Sequence, residues 1–85
     1  MRRRGTVAAI NLGRGMVAIA TQDDGYTIIE LLLEWNIEVG DSIVWTNGYG
    51  LGLEVYQNVT KSSHEEVYVQ NHSVSQSALQ QQLLL

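Results

Sequence analysis

Short apolar stretches separated by turn-forming residues run along most of the chain. Such stretches, rich in β-branched residues and spaced at roughly 8–12 residues, are typical of a sandwich or a barrel. Because the chain has no proline, its turns depend on glycine, asparagine and aspartate, as in Asp23-Asp24-Gly25. The pattern predicts an all-β fold, a small barrel of five to six strands. The predicted strands are 7–10, 16–21, 26–32, 42–46, 53–58 and 67–69.

The last residues follow a different pattern, which predicts a short helix. Ser77 followed three residues later by Gln80 fits a capping box, and Leu79 and Leu83 lie one helical turn apart. Leu84 and Leu85 add apolar surface. Helices shorter than about 12–15 residues are marginal in water, so we expect this one to be docked. The predicted organisation is a basic arm at 1–4, a barrel at 5–70 and a C-terminal tail at 71–85.

Charge is distributed unevenly. The formal net charge is −4, but Arg2, Arg3 and Arg4 hold three of the five basic residues. Arg14 and Lys61 then face nine acidic residues, so the rest of the chain has a net charge of −7. Such a body repels a polyanion, although the arm itself could contact phosphate.

The amino-acid composition excludes several classes of protein and of functional site. Without cysteine the chain has no disulfide, thiol nucleophile or cysteine-based metal site, which fits a reducing, cytoplasmic environment. No apolar run approaches the roughly 18 residues of a membrane span, and no apolar segment follows the arginines as in a signal peptide. We expect no cofactor and no membrane association.

From residue 5 to about residue 60 the chain resembles a cold-shock domain, a five-stranded member of the OB-fold group. The segments that carry the resemblance match that family's strands and turns in order: they are Gly5-Thr6-Val7 with Asn11, Arg14 to Ile19, Tyr26 to Glu30, Val39 to Trp45, and Gly50 to Val59 as the closing strand. The resemblance implies an OB-type barrel whose first three strands bind single-stranded nucleic acid.

The side chains that would do this binding are different here. Where the family places aromatic rings, this chain has Ala9, Met16, Ala18 and Ile28, and Glu30 replaces a histidine. Stacking contributes about 1–3 kcal/mol per base, so the loss of three or four rings removes most of a micromolar affinity. Ordinary single-strand binding on this face is therefore not expected.

An apolar sheet face on a small protein has to be covered. The leucine-rich tail is the obvious cover, supplied by the same chain, by a second copy or by another protein. We therefore predict a non-enzymatic binding or assembly module that makes contacts through self-association or another protein. The predicted contact residues are Met16, Ala18, Ile28, Leu79 and Leu83.

Two alternatives remain. A weak single-stranded RNA or DNA binder would contact phosphate through arginines and stack bases on loop rings; its residues are Arg2, Arg3, Arg4, Arg14, Trp35 and Tyr49. A small-molecule or oligosaccharide binder rests on fold analogy alone. Catalytic and metal sites are not expected, because His64 and Glu65 are adjacent on a strand and point to opposite faces.

Overall fold

Six strands form one closed antiparallel barrel, followed by a single short helix. This is the architecture of the computed structural model, which describes residues 2–22 and 24–84. Asp23 of the predicted turn and Leu85 of the predicted tail lie outside the described residues. The elements are β1 (Arg3–Asn11), β2 (Met16–Thr21), β3 (Tyr26–Leu31), β4 (Ser42–Trp45), β5 (Gly52–Asn58), β6 (Ser63–Val74), a 3-10 turn (Gln76–Ala78) and α1 (Leu79–Gln82). The predicted fold class is confirmed.

The strand order around the barrel is β1-β2-β3-β6-β5-β4. Hairpins join β1, β2 and β3, and the chain then returns so that β4 lies beside β1, which is a Greek-key arrangement. The closing strand is β6, which pairs with both β3 and β5. The expectation that residues 50–59 close the barrel is therefore wrong. A closed six-stranded antiparallel barrel is consistent with an OB-type fold.

The barrel extends beyond both predicted limits. Arg3 and Arg4 pair with Trp45 and Val44, so β1 starts inside the segment that was predicted to be a separate basic arm. At the other end β6 continues to Val74, which pairs with Tyr26 of β3. In both places pairing with a distant strand extends the element beyond the range its own apolar pattern indicates.

The barrel interior is filled by side chains from alternate positions of the strands. The ring of Trp45 stacks on that of Tyr56 with centroids 4.6 Å apart. Burial raises the pKa of the Tyr56 hydroxyl. The interior cluster comprises Val7, Val17, Ile19, Ile29, Trp35, Ile37, Ile43, Trp45, Tyr56, Val67 and Val69.

A buried carboxylate anchors the connection between β3 and β4. Asp41 Oδ2 accepts hydrogen bonds from Asn58 Nδ2 at 2.8 Å and from the Glu38 amide at 2.9 Å, and it lies 3.1 Å from Lys61 Nζ. Burial alone would raise the pKa of Asp41, but the hydrogen bonds from Asn58, the Glu38 amide and Lys61 outweigh it and hold the pKa below its ordinary value. These contacts join the long connection to the β5–β6 hairpin.

Within residues 2–22 and 24–84, no helix has the length and apolar character that a bilayer crossing requires.

Replacement of Asn58 by alanine is expected to lower the free energy of unfolding by about 1–3 kcal/mol, because it leaves the buried Asp41 carboxylate short of a donor. The Lys61 amide also loses the side-chain oxygen of Asn58 as its acceptor. Urea unfolding followed by tryptophan fluorescence measures the change. Gln57→Ala, at an exposed position one residue away, is the control; equal unfolding midpoints for the two variants would contradict this role.

Candidate protein-contact face

The outer face of β2 and β3 carries the three barrel residues that the sequence predicts as contact residues. Met16 and Ala18 alternate along β2 with inward-facing Val17, and Ala18 lies opposite Ile28 of β3. Although they point outward, all three are buried, and the exposed fraction of both Ala18 and Ile28 is 0%. Another part of the molecule must therefore cover them.

The cover is the C-terminal tail of the same chain. Leu83 packs into a cluster with Met16, Ala18 and Ile28, and only 1% of it remains exposed. Leu79 packs against the same cluster. The five predicted contact residues thus lie together, and of the three possible covers the chain's own tail is the one present in the structure.

Three further contributors to this face were not among the predicted contact residues. Val74 is buried in the same cluster, and Tyr26 packs against its edge. Asn11 Nδ2 donates a hydrogen bond of 2.7 Å to the carbonyl oxygen of Leu83, 72 residues away along the chain. Val74 and Tyr26 could have been found from their apolar character beside the tail and the β2–β3 turn. No local signal identifies the Asn11 bond.

Small side chains make room for the tail. Ala9 of β1 lies directly opposite Ala18 of β2, and Ala78 of the tail packs against the same cluster. Because alanine projects only a methyl group from the sheet, the tail can approach the strands closely. The result is a shallow apolar site, which we call the seat. Met16, Ala18 and Ile28 line it, and Leu83 is its main occupant.

The tail is held mainly by its leucines. The predicted capping box is wrong: the chain enters α1 through the 3-10 turn, Ala78 is the N-cap, and no side chain caps the helix. Ser77 lies inside the 3-10 turn, where its hydroxyl is 3.1 Å from that of Ser75. Full burial of one leucine contributes about 1.5–3 kcal/mol, so a helix of four residues depends on Leu83 and Leu79 for its stability.

Two residues of this region adopt a left-handed backbone conformation without being glycine. Ser73, which is the last but one residue of β6, has φ of 57°, and Leu84, just after α1, has φ of 62°. Such a conformation costs about 1–3 kcal/mol at a non-glycine residue. One strained residue thus precedes the segment that covers the face, and the other follows its helix.

The residues predicted for nucleic-acid contact are dispersed. Arg4 is exposed on the outer side of β1, Arg2 is exposed just before that strand, and Arg14 is exposed in the β1–β2 hairpin. Trp35 is only 8% exposed, and its Nε1 donates a hydrogen bond of 3.0 Å to Ser63 Oγ. Its predicted role as a stacking platform is therefore wrong, because the β3–β4 connection folds its ring into the core.

Arg3 belongs to a polar group at one end of the barrel, which we call the rim cluster: Arg3, Asp24, Tyr49, His72 and Ser73. The Arg3 side chain is 8% exposed, with its guanidinium carbon 4.3 Å from the centre of the Tyr49 ring and its Nη2 3.6 Å from Asp24. The guanidinium is largely withdrawn from solvent beside Asp24 and Tyr49, and its contact with phosphate stays a prediction. Tyr49 remains exposed at the rim.

Asp24 is the acceptor at the centre of the rim cluster. Its Oδ2 accepts hydrogen bonds from Tyr49 OH at 2.7 Å and from Ser73 Oγ at 2.8 Å. These two hydrogen bonds lower the pKa of Asp24, and the charges of Arg3 and His72 lower it further. The carboxylate joins the β2–β3 turn to the β4–β5 loop and to the end of β6.

Both ring nitrogens of His72 are engaged. Nε2 lies 3.0 Å from the carbonyl oxygen of Gly50, which can only accept, so Nε2 carries a proton. In the neutral ring, Nδ1 then accepts from the Thr27 hydroxyl at 2.9 Å. These bonds hold the ring edge-on to Tyr49 at 5.5 Å, as expected for a hydrogen-bonded structural histidine.

Among the residues that the structure describes, no group of three or more histidine, aspartate or glutamate side chains could hold a metal ion. His64 is exposed on the outer side of β6, and the adjacent Glu65 lies on the inner side.

Comparisons of the chain with protein-family models, with curated proteins and with solved structures found no match.

Replacement of Asp24 by asparagine is expected to destabilise the protein at neutral pH and to flatten its acid sensitivity. A pKa held below its ordinary value of 3.8 means that the carboxylate stabilises the fold at higher pH and that this contribution is lost as the pH falls through the lowered pKa. Thermal unfolding followed by circular dichroism between neutral pH and pH about 3 measures the effect.

The control for this experiment is Glu66→Gln, which removes an exposed carboxylate from the outer side of β6. Asp24→Asn and Glu66→Gln variants with identical melting temperatures at every pH would show that the rim cluster does not stabilise the fold.

Proposed function

We propose that this protein is a non-enzymatic assembly module whose β1–β3 face binds a short helix carrying leucines one turn apart. The supporting observation is the seat itself: Leu83 of the chain's own tail is buried there against Met16, Ala18 and Ile28. Amphipathic helices dock into apolar grooves through anchors spaced three or four residues apart. Leu79 and Leu83 have that spacing.

The tail's modest attachment favours this role. Two leucines and one hydrogen bond from Asn11 hold the tail, and its helix has no side-chain cap. Release of the tail from the face therefore costs only a few kcal/mol. A helix from another chain that presents the same anchors can then compete for the seat. A face covered in this way remains protected from non-specific association until such a helix arrives.

Two further parts of the proposal concern origin and location. The β1–β2–β3 meander beside β4 supports a frame derived from a cold-shock-like domain, in which the base-stacking face has become an apolar contact face. The absence of cysteine from the sequence supports action in the cytoplasm.

The test uses the full chain with Leu79→Asp and Leu83→Asp together, which frees the seat because two carboxylates cannot enter it. This variant is expected to bind a fluorescently labelled peptide of residues 75–85 in a saturable manner, measured by anisotropy. The wild-type chain, whose seat is filled, should bind the same peptide at least tenfold more weakly.

A peptide with aspartate at both leucine positions is the matched control and should not bind. Tryptophan fluorescence checks that the variant is folded, since Trp45 lies in the barrel interior. A folded variant that treats the two peptides alike would refute the proposed function.

The nucleic-acid alternative keeps one favourable observation, the exposure of Arg2 and Arg4 at the start of β1. We nevertheless expect no saturable binding of mixed-sequence single-stranded RNA or DNA at low salt, because the acidic body repels phosphate and the seat holds no stacking ring. Binding that weakens with salt, and that Arg2→Ser with Arg4→Ser abolishes while Arg14→Ser does not, would establish the alternative instead.

A further inference from the structure

We infer that two copies of this chain exchange their C-terminal segments, so that residues 74–84 of each copy occupy the β1–β3 face of the other, with Ser73 as the hinge. The inference rests on the proposed function and names the helix that the face receives. Two parts of the molecule carry it: Ser73, which would be the hinge, and the seat, which would receive the exchanged tail.

The hinge is a strained residue at the point where the chain changes direction. Ser73 adopts φ of 57° inside β6, where the β3–β6 register is irregular between the pairs Ile28–Asn71 and Tyr26–Val74. After Ser73 the chain makes this last pair and then leaves β6 for the 3-10 turn and α1. We expect an ordinary extended conformation at Ser73 to direct the following residues away from the face of their own barrel.

The seat does not distinguish the chain's own tail from that of a second copy. Val74, Leu79 and Leu83 make the same apolar contacts in either case, and Asn11 can donate to either Leu83 carbonyl. Exchange of an identical element between protomers therefore loses no contact at the seat. The balance between the two forms is set by the hinge and by protein concentration.

Within residues 2–22 and 24–84, one hydrogen bond from the Ser73 side chain opposes opening of the hinge. Ser73 Oγ donates to Asp24 Oδ2, and because this bond is exposed, water can take the place of Ser73 as donor when the hinge opens. The left-handed backbone, in contrast, disfavours the closed form whatever the solvent. The strain of the Ser73 backbone therefore outweighs its hydrogen bond to Asp24, and the hinge opens when a second copy offers its seat.

The expected dimer is of moderate strength. A tail on a short tether competes at an effective concentration of about 1 mM. Relief of a left-handed serine favours opening about tenfold for each hinge, and the dimer opens two hinges. The two effects together place the dissociation constant at about 10 µM, within the range of analytical ultracentrifugation.

The decisive experiment mixes two full-length variants that are each defective in one half of the exchange. The donor-defective chain carries Leu79→Asp with Leu83→Asp, and the receptor-defective chain carries Ala18→Glu, which places a carboxylate in the seat. Each is expected to remain monomeric alone. Their mixture should give a heterodimer in which the intact tail of one chain occupies the intact face of the other, detected by size-exclusion chromatography with light scattering.

A receptor-defective chain that also carries the two aspartates is the matched control, because it has no tail to donate, and its mixture should stay monomeric. If Ala18→Glu fails to fold, Met16→Glu charges the same face and takes its place. A folded mixture without heterodimer overturns the exchange.

Binding of the labelled peptide distinguishes failure of the exchange from failure of the proposed function. If the donor-defective chain binds the peptide of residues 75–85 but not the receptor-defective chain, the exchange is wrong and the proposed function stands. If the folded donor-defective chain binds neither, both are wrong.

A second pair of variants tests the hinge in the otherwise native chain. Ser73→Gly relieves the strain of the closed form, because glycine adopts positive φ freely, and is expected to weaken dimerisation at least tenfold. Leu84→Gly relieves the other left-handed residue, which belongs to the seated tail in both forms, and should leave the dimer fraction unchanged. Equal effects of the two variants, or a wild-type chain that stays monomeric at about 100 µM, would refute Ser73 as the hinge.

Discussion

Strands β2 and β3 carry apolar side chains on both of their faces, and a closed barrel has room for only one of those faces in its interior. Val17 and Ile29 fill the interior, whereas Ala18 and Ile28 point outward and are equally buried. The outward face therefore requires a cover that the barrel strands themselves do not supply. The tail meets this requirement with Leu83, and the path of the chain after β6 follows from it.

The rim cluster lies where this path begins. Asp24 accepts from Ser73, the residue at which the chain turns onto the face, and it also accepts from Tyr49 and lies beside Arg3. The turn that directs the tail is thus bonded to the same carboxylate that joins the β2–β3 turn to the β4–β5 loop. When Asp24 is ionised, its hydrogen bond with Ser73 is stronger, because a charged oxygen is a better acceptor. Ionisation of Asp24 therefore stabilises the conformation in which the tail covers the face of its own barrel.

Apolar patterning was enough to predict the barrel. The outward apolar residue Ala18 and the spacing of the tail leucines indicated a covered apolar face, but they did not decide whether the cover is the chain's own tail, a second copy or another protein. The errors arose where distant contacts override local signals. Ser77 and its capping box were predicted from four adjacent residues, but the tail enters its helix through a 3-10 turn. Trp35 sits in a connection with no regular pattern, and Ser63, its hydrogen-bond partner, is 28 residues away. The left-handed turn at Ser73 has no sequence signal, since serine does not mark positive φ as glycine or asparagine does.

Base stacking and helix docking exclude one another on this face. An aromatic ring at the position of Ala18 would present roughly 150–250 Å² of surface and would occupy the space that Leu83 fills. The alanines that deprive the face of a stacking platform are the same residues that let the tail approach. Glu30 lies opposite Met16 on the neighbouring strand, and its Oε1 accepts a hydrogen bond of 2.8 Å from Gln70 Nε2. The small side chains that make room for the tail on β1 to β3 are therefore the same ones that leave this face without a stacking ring.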